Sequence, residues 1–378
     1  MIDMRTAIAV LLLVSASAAA QEAAPEDLSP LLEPIRRERG VPGLAGAIAT
    51  PDGVLGWGAA GVRRQGGTDA AGRADLWHIG SCTKSMTATL VAILVERGQL
   101  AWDMKVAEFF EGKVEAIDPG WKAATLEQLL GHRAGVPSDL SGDGLWGRLW
   151  RREGTPSEQR MTLVRALLAR PPLSEPGSAF LYANAGYTIA GQMAEAATGK
   201  PWEALLLEEV ARPLGMTSVG FGAPGSADAI DQPRGHRIAD GGELVPVEPG
   251  PDADNPAAIG PGGIVHCTIE DLARWAAFHA GRDPGEGSIL SAASLGKLHT
   301  PLSGGDYALG WSLHERDWGG GRVLAHNGSN TMWFAVMWVA PEKGFAVVAA
   351  TNVAGDAGAR ACDEVASTLI RHHLKDGK

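Results

Sequence analysis

Cysteine is scarce in this chain, which contains three among its 378 residues. An odd number is unusual for a protein of an oxidising compartment, where cysteines tend to pair. Cys82 is expected to be a small buried residue, whereas Cys267 and Cys362 either pair or both stay free, and the sequence leaves these alternatives open. No cluster of Cys and His has the spacing of metal ligands. We therefore expect neither a metal site nor a cofactor.

Positive charge is also in short supply. The chain has 33 Lys and Arg against 44 Asp and Glu, a formal net charge of −11, and no strong basic cluster. This balance argues against nucleic acid or an anionic membrane surface as a partner. The Gly-x-Ser-x-Gly motif is absent, which argues against an α/β-hydrolase esterase. A small-molecule or peptide substrate remains the expected partner, and the oligomeric state stays open.

The apolar stretch Ala7–Val14 is too short to span a bilayer. It follows Arg5 and precedes the small residues Ala18–Ala20, which is the pattern of a signal peptide over residues 1–20. A buried N-terminal helix is the alternative interpretation. We therefore expect the mature protein to be exported, to the periplasm or as a secreted protein.

What is present is the composition of a soluble globular protein, with 45% apolar and 20% charged residues. Strands are predicted towards both ends of the mature chain, with a helix outside each group. The predicted elements are a helix over 29–39, strands over 44–50 and 54–63, further strands over 307–313, 323–326, 332–340 and 345–351, and a helix over 361–374. Residues Gly56–Gly61 match the dinucleotide-binding fingerprint formally, but strand-like residues surround them and no helix follows, so we reject that interpretation.

The middle of the chain is predicted to be largely helical. Helices are expected over 161–169, 185–198 and 202–212, with a loop-rich region from 106 and loops with short strands over 217–260.

This order of elements predicts an α/β protein of the α+β type. We expect a mainly antiparallel sheet, flanked by the N- and C-terminal helices, with an inserted α-rich domain. The expected boundaries are a split α/β domain over 28–80 and 262–374 and an α-rich domain over 81–261. The active site would lie in the cleft between them.

The motif Ser81-x-x-Lys84 opens a long apolar helix after a loop that ends at Gly80. Residues three apart share a helix face, so the hydroxyl and the amine are expected side by side. Backbone N–H groups at a helix N-terminus favour developing negative charge, so this serine is a candidate activated nucleophile. The alternative is an N-cap serine. The same pattern at Ser294-x-x-Lys297 contains a glycine and ends near a helix C-terminus, which favours a structural role there.

A second candidate motif is Tyr182-x-Asn184, in a chain with three tyrosines. It precedes the helix predicted from residue 185, where both side chains can project into one cleft. A phenol serves as general base or acid once neighbouring cations favour its ionised form. The alternative is a core tyrosine, with Asn184 as the helix N-cap.

A third motif, His-x-Gly, begins at His78, His279 and His326. His279 is predicted at a helix end with Gly281 as its C-cap, and His78 belongs to the loop before Ser81. Only His326 ends a predicted strand, whose edge can offer backbone N–H groups to an oxyanion. His326 is therefore chosen as the candidate site residue because of its location, since the His-x-Gly pattern alone does not distinguish it.

Together, Ser81-x-x-Lys84, Tyr182-x-Asn184 and His326-x-Gly328 resemble, in order and spacing, the serine β-lactamase and penicillin-binding-protein superfamily. The resemblance is to the class C-like branch, with its carboxypeptidase, D-amino peptidase and esterase relatives. Further similar segments lie at 129–135, 213–216, 261–263 and 309–311, so the similarity spans about 28 to 370.

The resemblance implies an exported serine hydrolase that forms an acyl-enzyme on Ser81. Its substrate would be an amide or ester, such as a D-alanyl peptide, a short ester or a β-lactam. Lys84 and Tyr182 would share the serine proton, and the backbone N–H groups of Ser81 and Ser329 would form the oxyanion hole. The expected substrate-binding residues are Asn184, which would also orient Lys84, His326, Gly328 and Ser329. A catalytically silent relative that binds cell-wall peptides or a protein is the alternative.

The chain also departs from the family pattern. His326 stands where β-lactamases of this branch usually carry lysine, a fixed cation suited to a substrate carboxylate. Histidine is mostly neutral near pH 7, so carboxylate recognition is expected to be weaker. Trp333 is expected to narrow the pocket. The pattern therefore resembles D-amino peptidases and esterases at least as well as β-lactamases.

Overall fold

The computed structural model describes residues 24–281, 285, 287–302 and 305–376. The predicted signal peptide, residues 1–20, lies outside these described residues. The strands form a seven-stranded, a three-stranded and a two-stranded sheet. They are β1 (Glu26–Asp27), β2 (Gly43–Thr50), β3 (Gly53–Gly61), β4 (Leu76–His78), β5 (Gly220–Phe221), β6 (Gly235–Ile238), β7 (Leu244–Val247), β8 (Val265–Thr268), β9 (Ser312–Arg316), β10 (Gly321–Ser329), β11 (Phe334–Ala340) and β12 (Phe345–Thr351).

The α-helices of the same residues are α1 (Ser29–Arg39), α2 (Thr83–Glu96), α3 (Val106–Phe110), α4 (Leu126–Leu130), α5 (Leu145–Trp150), α6 (Pro156–Leu168), α7 (Asn184–Thr198), α8 (Trp202–Leu205), α9 (Ile269–Ala280), α10 (Ala292–Leu298) and α11 (Gly355–Asp376). A π-helical segment, Leu206–Ala211, continues α8. Across the described residues, none of the helices combines the length and the apolar character needed to cross a membrane.

The large sheet has the strand order β1-β3-β2-β12-β11-β10-β9. Its neighbouring strands are antiparallel, except that the two-residue β1 runs parallel to β3. The first hairpin and the C-terminal strands meet in this sheet because β2 pairs with β12. This order confirms the predicted α+β protein with a mainly antiparallel sheet.

Different helices cover the two faces of this sheet. On one face, α1 and α11 pack against each other and against the strands, around a core that includes Leu32, Val347 and Leu369. Gly46 of β2 leaves room for this layer, because a Cβ there would lie 2.7 Å from Cγ1 of Val365. On the other face lies α9, and the larger apolar core continues from there into the helices of the middle of the chain. The flanking terminal helices agree with expectation, and the domain boundaries stay a prediction.

Several segments differ from the sequence prediction. The strand predicted over 307–313 begins only at Ser312 and ends at Arg316. The helix expected from residue 161 begins at Pro156, because Thr155 and Glu158 form a reciprocal capping box and proline fits the first helical turn. Residues Val106–Phe110 form a short helix where a loop-rich region was expected, and Phe110 is fully buried. Tertiary packing therefore stabilises a helix too short to stand alone.

The glycines of β3 serve close packing. A Cβ on Gly58 would lie 2.5 Å from the backbone nitrogen of Ser29, and one on Gly61, where φ is +86°, would lie 2.0 Å from the carbonyl oxygen of Pro42. The start of α1 thus lies directly against this strand. This close packing explains why glycines occur at positions of β3 that formally match the dinucleotide fingerprint.

A buried ion cluster connects the helices of the middle of the chain. Arg160 of α6 is fully buried, and its Nη2 lies 2.5 Å from a carboxylate oxygen of Glu195 and 2.8 Å from one of Glu203. Its Nη1 also donates to the carbonyl oxygen of Ala257 at 3.2 Å. The cluster therefore anchors the 3-10 turn Ala257–Gly262, which reaches the candidate active site.

Replacing Arg160 with Met is expected to lower the free energy of unfolding by about 3–5 kcal/mol, because the Glu195 carboxylate would stay buried without its partner. The matched control is Arg97→Met, which removes a half-exposed pair with Glu209. That change is expected to cost about 1 kcal/mol or less. Denaturant unfolding followed by circular dichroism measures both variants. Equal losses in the two would contradict the structural role given to the Arg160 cluster.

Candidate active site

The candidate nucleophile lies between β4 and α2. Strand β4 leads into the 3-10 turn Gly80–Cys82, and α2 begins at Thr83. Ser81 therefore lies in the turn just before the helix, whereas the sequence analysis placed it as the first helical residue. The side chains of α2 are buried without a break from Thr83 to Leu94, which fixes the helix in the core.

Lys84 connects three segments of the chain. Its Nζ lies 2.9 Å from Oγ of Ser81, 2.6 Å from Oδ1 of Asn184 and 2.7 Å from the carbonyl oxygen of Gly262. The Lys84 side chain is fully buried. The structure thus brings three residues singled out in the sequence, Ser81, Lys84 and Asn184, into direct contact.

Burial lowers the pKa of the Lys84 amine to about 7, with the Cys82 thiol opposing that shift. A neutral amine has two N–H donors and one lone pair. The oxygens of Asn184 and Gly262 accept the two donors, which leaves the lone pair for the proton of the Ser81 hydroxyl. This is the geometry of a general base that works at neutral pH.

Tyr182 approaches Ser81 from the loop before α7. The centre of its ring lies 4.8 Å from Nζ of Lys84, the amine that contacts Ser81. The residue is 38% exposed, so it lies where the site meets solvent.

The phenol is protonated at neutral pH. Burial raises the pKa of Tyr182, and the hydrogen bond with Ser81 opposes this without reversing it. Neighbouring cations would have to outweigh burial to favour the ionised form, and here burial is the larger effect.

The turn that holds Ser81 touches strand β10 through the backbone. A Cβ on Gly328 would lie 2.5 Å from the nitrogen of Ser81, and a Cβ on Gly80 would lie 2.2 Å from the nitrogen of Ser329. The two glycines therefore allow the N–H groups of Ser81 and Ser329 to lie next to each other. Two backbone donors beside a nucleophile are the components of an oxyanion hole.

His326 of β10 is buried, and both of its ring nitrogens are engaged. Nδ1 lies 2.6 Å from the carbonyl oxygen of Asn327, which assigns the proton to Nδ1, and Nε2 then accepts from the hydroxyl of Tyr307 at 3.0 Å. Burial and, after it, the charge of Lys84 lower the pKa of His326 to about 3. The ring therefore offers a substrate neither a positive charge nor an unused N–H group.

A cavity of about 560 Å³ borders Tyr182 and His326, although neither Ser81 nor Lys84 lines it. Aromatic side chains contribute much of its wall, and its charged groups are of both signs. These lining residues are Phe180, Tyr307 and Trp338, with Asp306, Arg316 and Asp363. A space of this size accommodates a small molecule or part of a peptide. Trp333 was expected to narrow the pocket, but it does not line this cavity. It is buried against Trp77, with ring centroids 6.3 Å apart.

Two residues with no role predicted from the sequence, Gly262 and Tyr307, contact the candidate residues Lys84 and His326. Gly262 lies within, and Tyr307 beside, a segment that resembles the family. Gly310, with φ of +85°, lets the Tyr307 loop approach α2, since a Cβ there would lie 2.6 Å from Cα of Ser85.

All three cysteines are buried free thiols, which decides the alternative left open for Cys267 and Cys362. Over the described residues, no three His, Cys, Asp or Glu side chains are grouped as ligands of a metal ion.

Comparison with known proteins shows which family this chain belongs to. The family model described as Beta-lactamase matches residues 28–369. Penicillin-binding protein 4 of Amycolatopsis lactamdurans is 30% identical over 331 residues, which cover 84% of this chain and 82% of that protein. These matches confirm the resemblance drawn from the motifs.

Solved structures show the same fold. The octameric penicillin-binding protein homologue from Pyrococcus abyssi aligns with a TM-score of 0.73 and 25% identity, covering 90% of this chain and 75% of its own. EstCE1, a hydrolase with promiscuous acyltransferase activity, aligns with a TM-score of 0.74 and 20% identity, covering 90% of this chain and 97% of its own, a likeness of fold alone. With a family model matched over most of its length, the chain belongs to the beta-lactamase family and is a serine hydrolase.

Proposed function

We propose that this protein is an exported hydrolase that forms an acyl-enzyme on Ser81. Its substrates are amides or esters that carry no carboxylate beside the bond to be cleaved. The observation that carries the proposal is the contact between the Ser81 hydroxyl and the buried Lys84 amine, whose pKa is about 7. Export is supported by the signal-peptide pattern of residues 1–20.

Acylation uses the lone pair of Lys84. Oγ of Ser81 attacks the substrate carbonyl carbon while its proton moves to Nζ of Lys84. The carbonyl oxygen takes the displaced electron pair and accepts hydrogen bonds from the N–H groups of Ser81 and Ser329. The Tyr182 hydroxyl protonates the departing amine or alcohol as its bond to carbon breaks. Lys84 then returns a proton to the phenolate, which leaves an ester on Ser81.

Deacylation follows the same path in reverse. A water molecule replaces the leaving group, and its proton passes through Tyr182 to Lys84 as its oxygen attacks the ester. The same backbone N–H groups stabilise the oxyanion. Ser81 recovers its proton when the acid is released. Asn184 holds the Lys84 amine in place throughout, because Oδ1 of Asn184 accepts a hydrogen bond from Nζ of Lys84 at 2.6 Å.

The state of His326 supports the choice of substrate class. Penicillins and D-alanyl-D-alanine peptides carry a carboxylate beside the bond that is cleaved, and a fixed cation suits that group. Here the corresponding ring is neutral and hydrogen-bonded on both sides. Esters and amides with an uncharged leaving group do not need such a cation.

Ser81→Ala is expected to abolish covalent labelling by a fluorophosphonate and to lower kcat for p-nitrophenyl butyrate by about 10³-fold or more, because the acyl-enzyme cannot form. Mass spectrometry detects the adduct, and absorbance follows turnover. Ser294→Ala changes the serine of the other Ser-x-x-Lys motif and is expected to behave as the unaltered protein. A labelled Ser81→Ala variant would overturn the assignment.

The pH dependence of kcat/KM reports on Lys84. Below its pKa of about 7 the amine is protonated and has no lone pair, so kcat/KM is expected to rise with pH and level off above that value. Lys84→Arg stays protonated throughout and is expected to be inactive across the range. Ester hydrolysis in buffers of constant ionic strength measures both. A rate that falls across neutrality, or an active arginine variant, would argue against this base.

His326→Lys is expected to raise kcat/KM for a D-alanyl-D-alanine peptide relative to the same peptide amidated at its C-terminus, by about tenfold. The reason is that lysine adds a cation beside the substrate carboxylate. His326→Gln is the control, because it replaces the ring without adding charge, and it should leave the ratio unchanged. Release of D-alanine or of its amide is measured. If the unaltered enzyme already prefers the free carboxylate, the proposed substrate class is wrong.

A further inference from the structure

His132 contacts Tyr182 from the side of the protein core. It lies two residues after the end of α4 and is 3% exposed. The centre of its ring lies 4.3 Å from that of Tyr182 and 4.8 Å from that of Tyr307. No step of the reaction described above uses this histidine, so its place beneath the phenol needs another explanation.

The same residue holds the main chain on both sides of Tyr182. The carbonyl oxygen of His132 accepts the N–H group of Leu181 at 2.8 Å, and its Nδ1 accepts the N–H group of Ala183 at 3.2 Å. The residues before and after Tyr182 are therefore bound to one partner, which also packs against the ring between them. Rotation or displacement of the phenol would have to break at least one of these contacts.

The conformation of His132 is itself unusual. Its φ is +57°, in the left-handed region that residues other than glycine seldom adopt. Such conformations persist where the surrounding structure imposes them, and they cluster at functional sites. The backbone of His132 thus accepts local strain in a position that directs both its carbonyl group and its ring towards residues 181–183.

His132 is also kept neutral. Because Nδ1 accepts a hydrogen bond, the proton of the neutral ring lies on Nε2, which is buried without a partner among the described residues. Burial, and after it the charge of Lys84, hold the pKa of His132 well below its usual value. The ring therefore keeps its acceptor and does not compete with Lys84 for the serine proton.

We propose that His132 is a positioning residue that holds the Tyr182 hydroxyl at Ser81 by binding the backbone of Leu181 and Ala183 and by packing on the Tyr182 ring. This inference rests on the proposed function, because it takes Tyr182 as the proton donor of the reaction. A displacement of a reacting group by about 1 Å can cost about 10²-fold in rate. Loss of the ring should therefore lower kcat and leave KM nearly unchanged.

A double-mutant cycle tests this role. His132→Asn keeps a residue that tolerates positive φ and an amide oxygen as acceptor, but it removes the ring. We expect kcat for an alkyl ester such as ethyl butyrate, whose leaving group must take up a proton, to fall by about ten- to a hundredfold with KM within about twofold. In a Tyr182→Phe background the same substitution is expected to change kcat by less than about twofold, because there is no hydroxyl left to position.

The matched control is His279→Asn in α9, which also changes a buried histidine with an unpartnered Nε2 and a pKa lowered by burial. It is expected to keep kcat within about twofold when assayed below its Tm, since it touches no residue of the site. Thermal unfolding of each variant separates loss of fold from loss of rate. If His132→Asn does not fold, His132→Gln enters the same cycle.

The outcomes separate this inference from the proposed function. An unchanged kcat in His132→Asn, or equal losses with and without the Tyr182 hydroxyl, would overturn the positioning role and leave Tyr182 as proton donor. An unchanged kcat in Tyr182→Phe alone would overturn the proposed role of Tyr182 and this inference with it. A loss confined to proteins that retain Tyr182 supports both.

Discussion

The burial of one amine is the constraint on which this site depends. A buried ammonium is costly unless it is paired, and the oxygens that contact Nζ of Lys84 belong to a hydroxyl, an amide and a backbone carbonyl rather than to a carboxylate. These dipoles orient the amine without fixing its charge, so burial lowers its pKa to about 7. A carboxylate at the same place would hold the proton on Lys84. The absence of an ion pair in these contacts is therefore what makes the amine available to Ser81.

The partners of that amine depend on a cluster that takes no part in the chemistry. Gly262 ends the 3-10 turn whose first residue, Ala257, accepts a hydrogen bond from Arg160. Asn184 opens α7, and Glu195 of the same helix binds the same guanidinium. The position of two of the three oxygens around Nζ is therefore coupled to one buried arginine. The contacts of Arg160 that stabilise this part of the fold therefore also reach the two segments that hold Nζ of Lys84.

Sequence reasoning succeeded where the information is local. The spacing of Ser81 and Lys84 predicts their contact because helical periodicity applies within a single turn, whereas the approach of Tyr182 followed only from resemblance to a family. The contact between the carbonyl oxygen of Gly262 and the amine of Lys84 could not be predicted, because a backbone carbonyl carries no sequence signal and the two residues are far apart in the chain. The protonation state of Tyr182 could not be predicted, because burial, which decides it, is a tertiary property. The capping box of Thr155 and Glu158 marks the start of α6 at Pro156 in the sequence. The helix was predicted to start later because its apolar periodicity begins only after that point.

The neutrality of His326 follows from its contacts and not from its residue type alone. A histidine in water takes up a proton as the pH falls through about 6.5, and would then offer a substrate carboxylate a cation. Here burial is the main cause that lowers the pKa of the ring, and the nearby charge of Lys84 adds to it. Nε2 also accepts a hydrogen bond from Tyr307. With a pKa of about 3, the ring stays neutral in mildly acid solution. The weak anchoring of carboxylates that we propose would thus follow from the burial of His326 and from the nearby Lys84, and it should persist well below the pH at which an exposed histidine would begin to supply the missing charge.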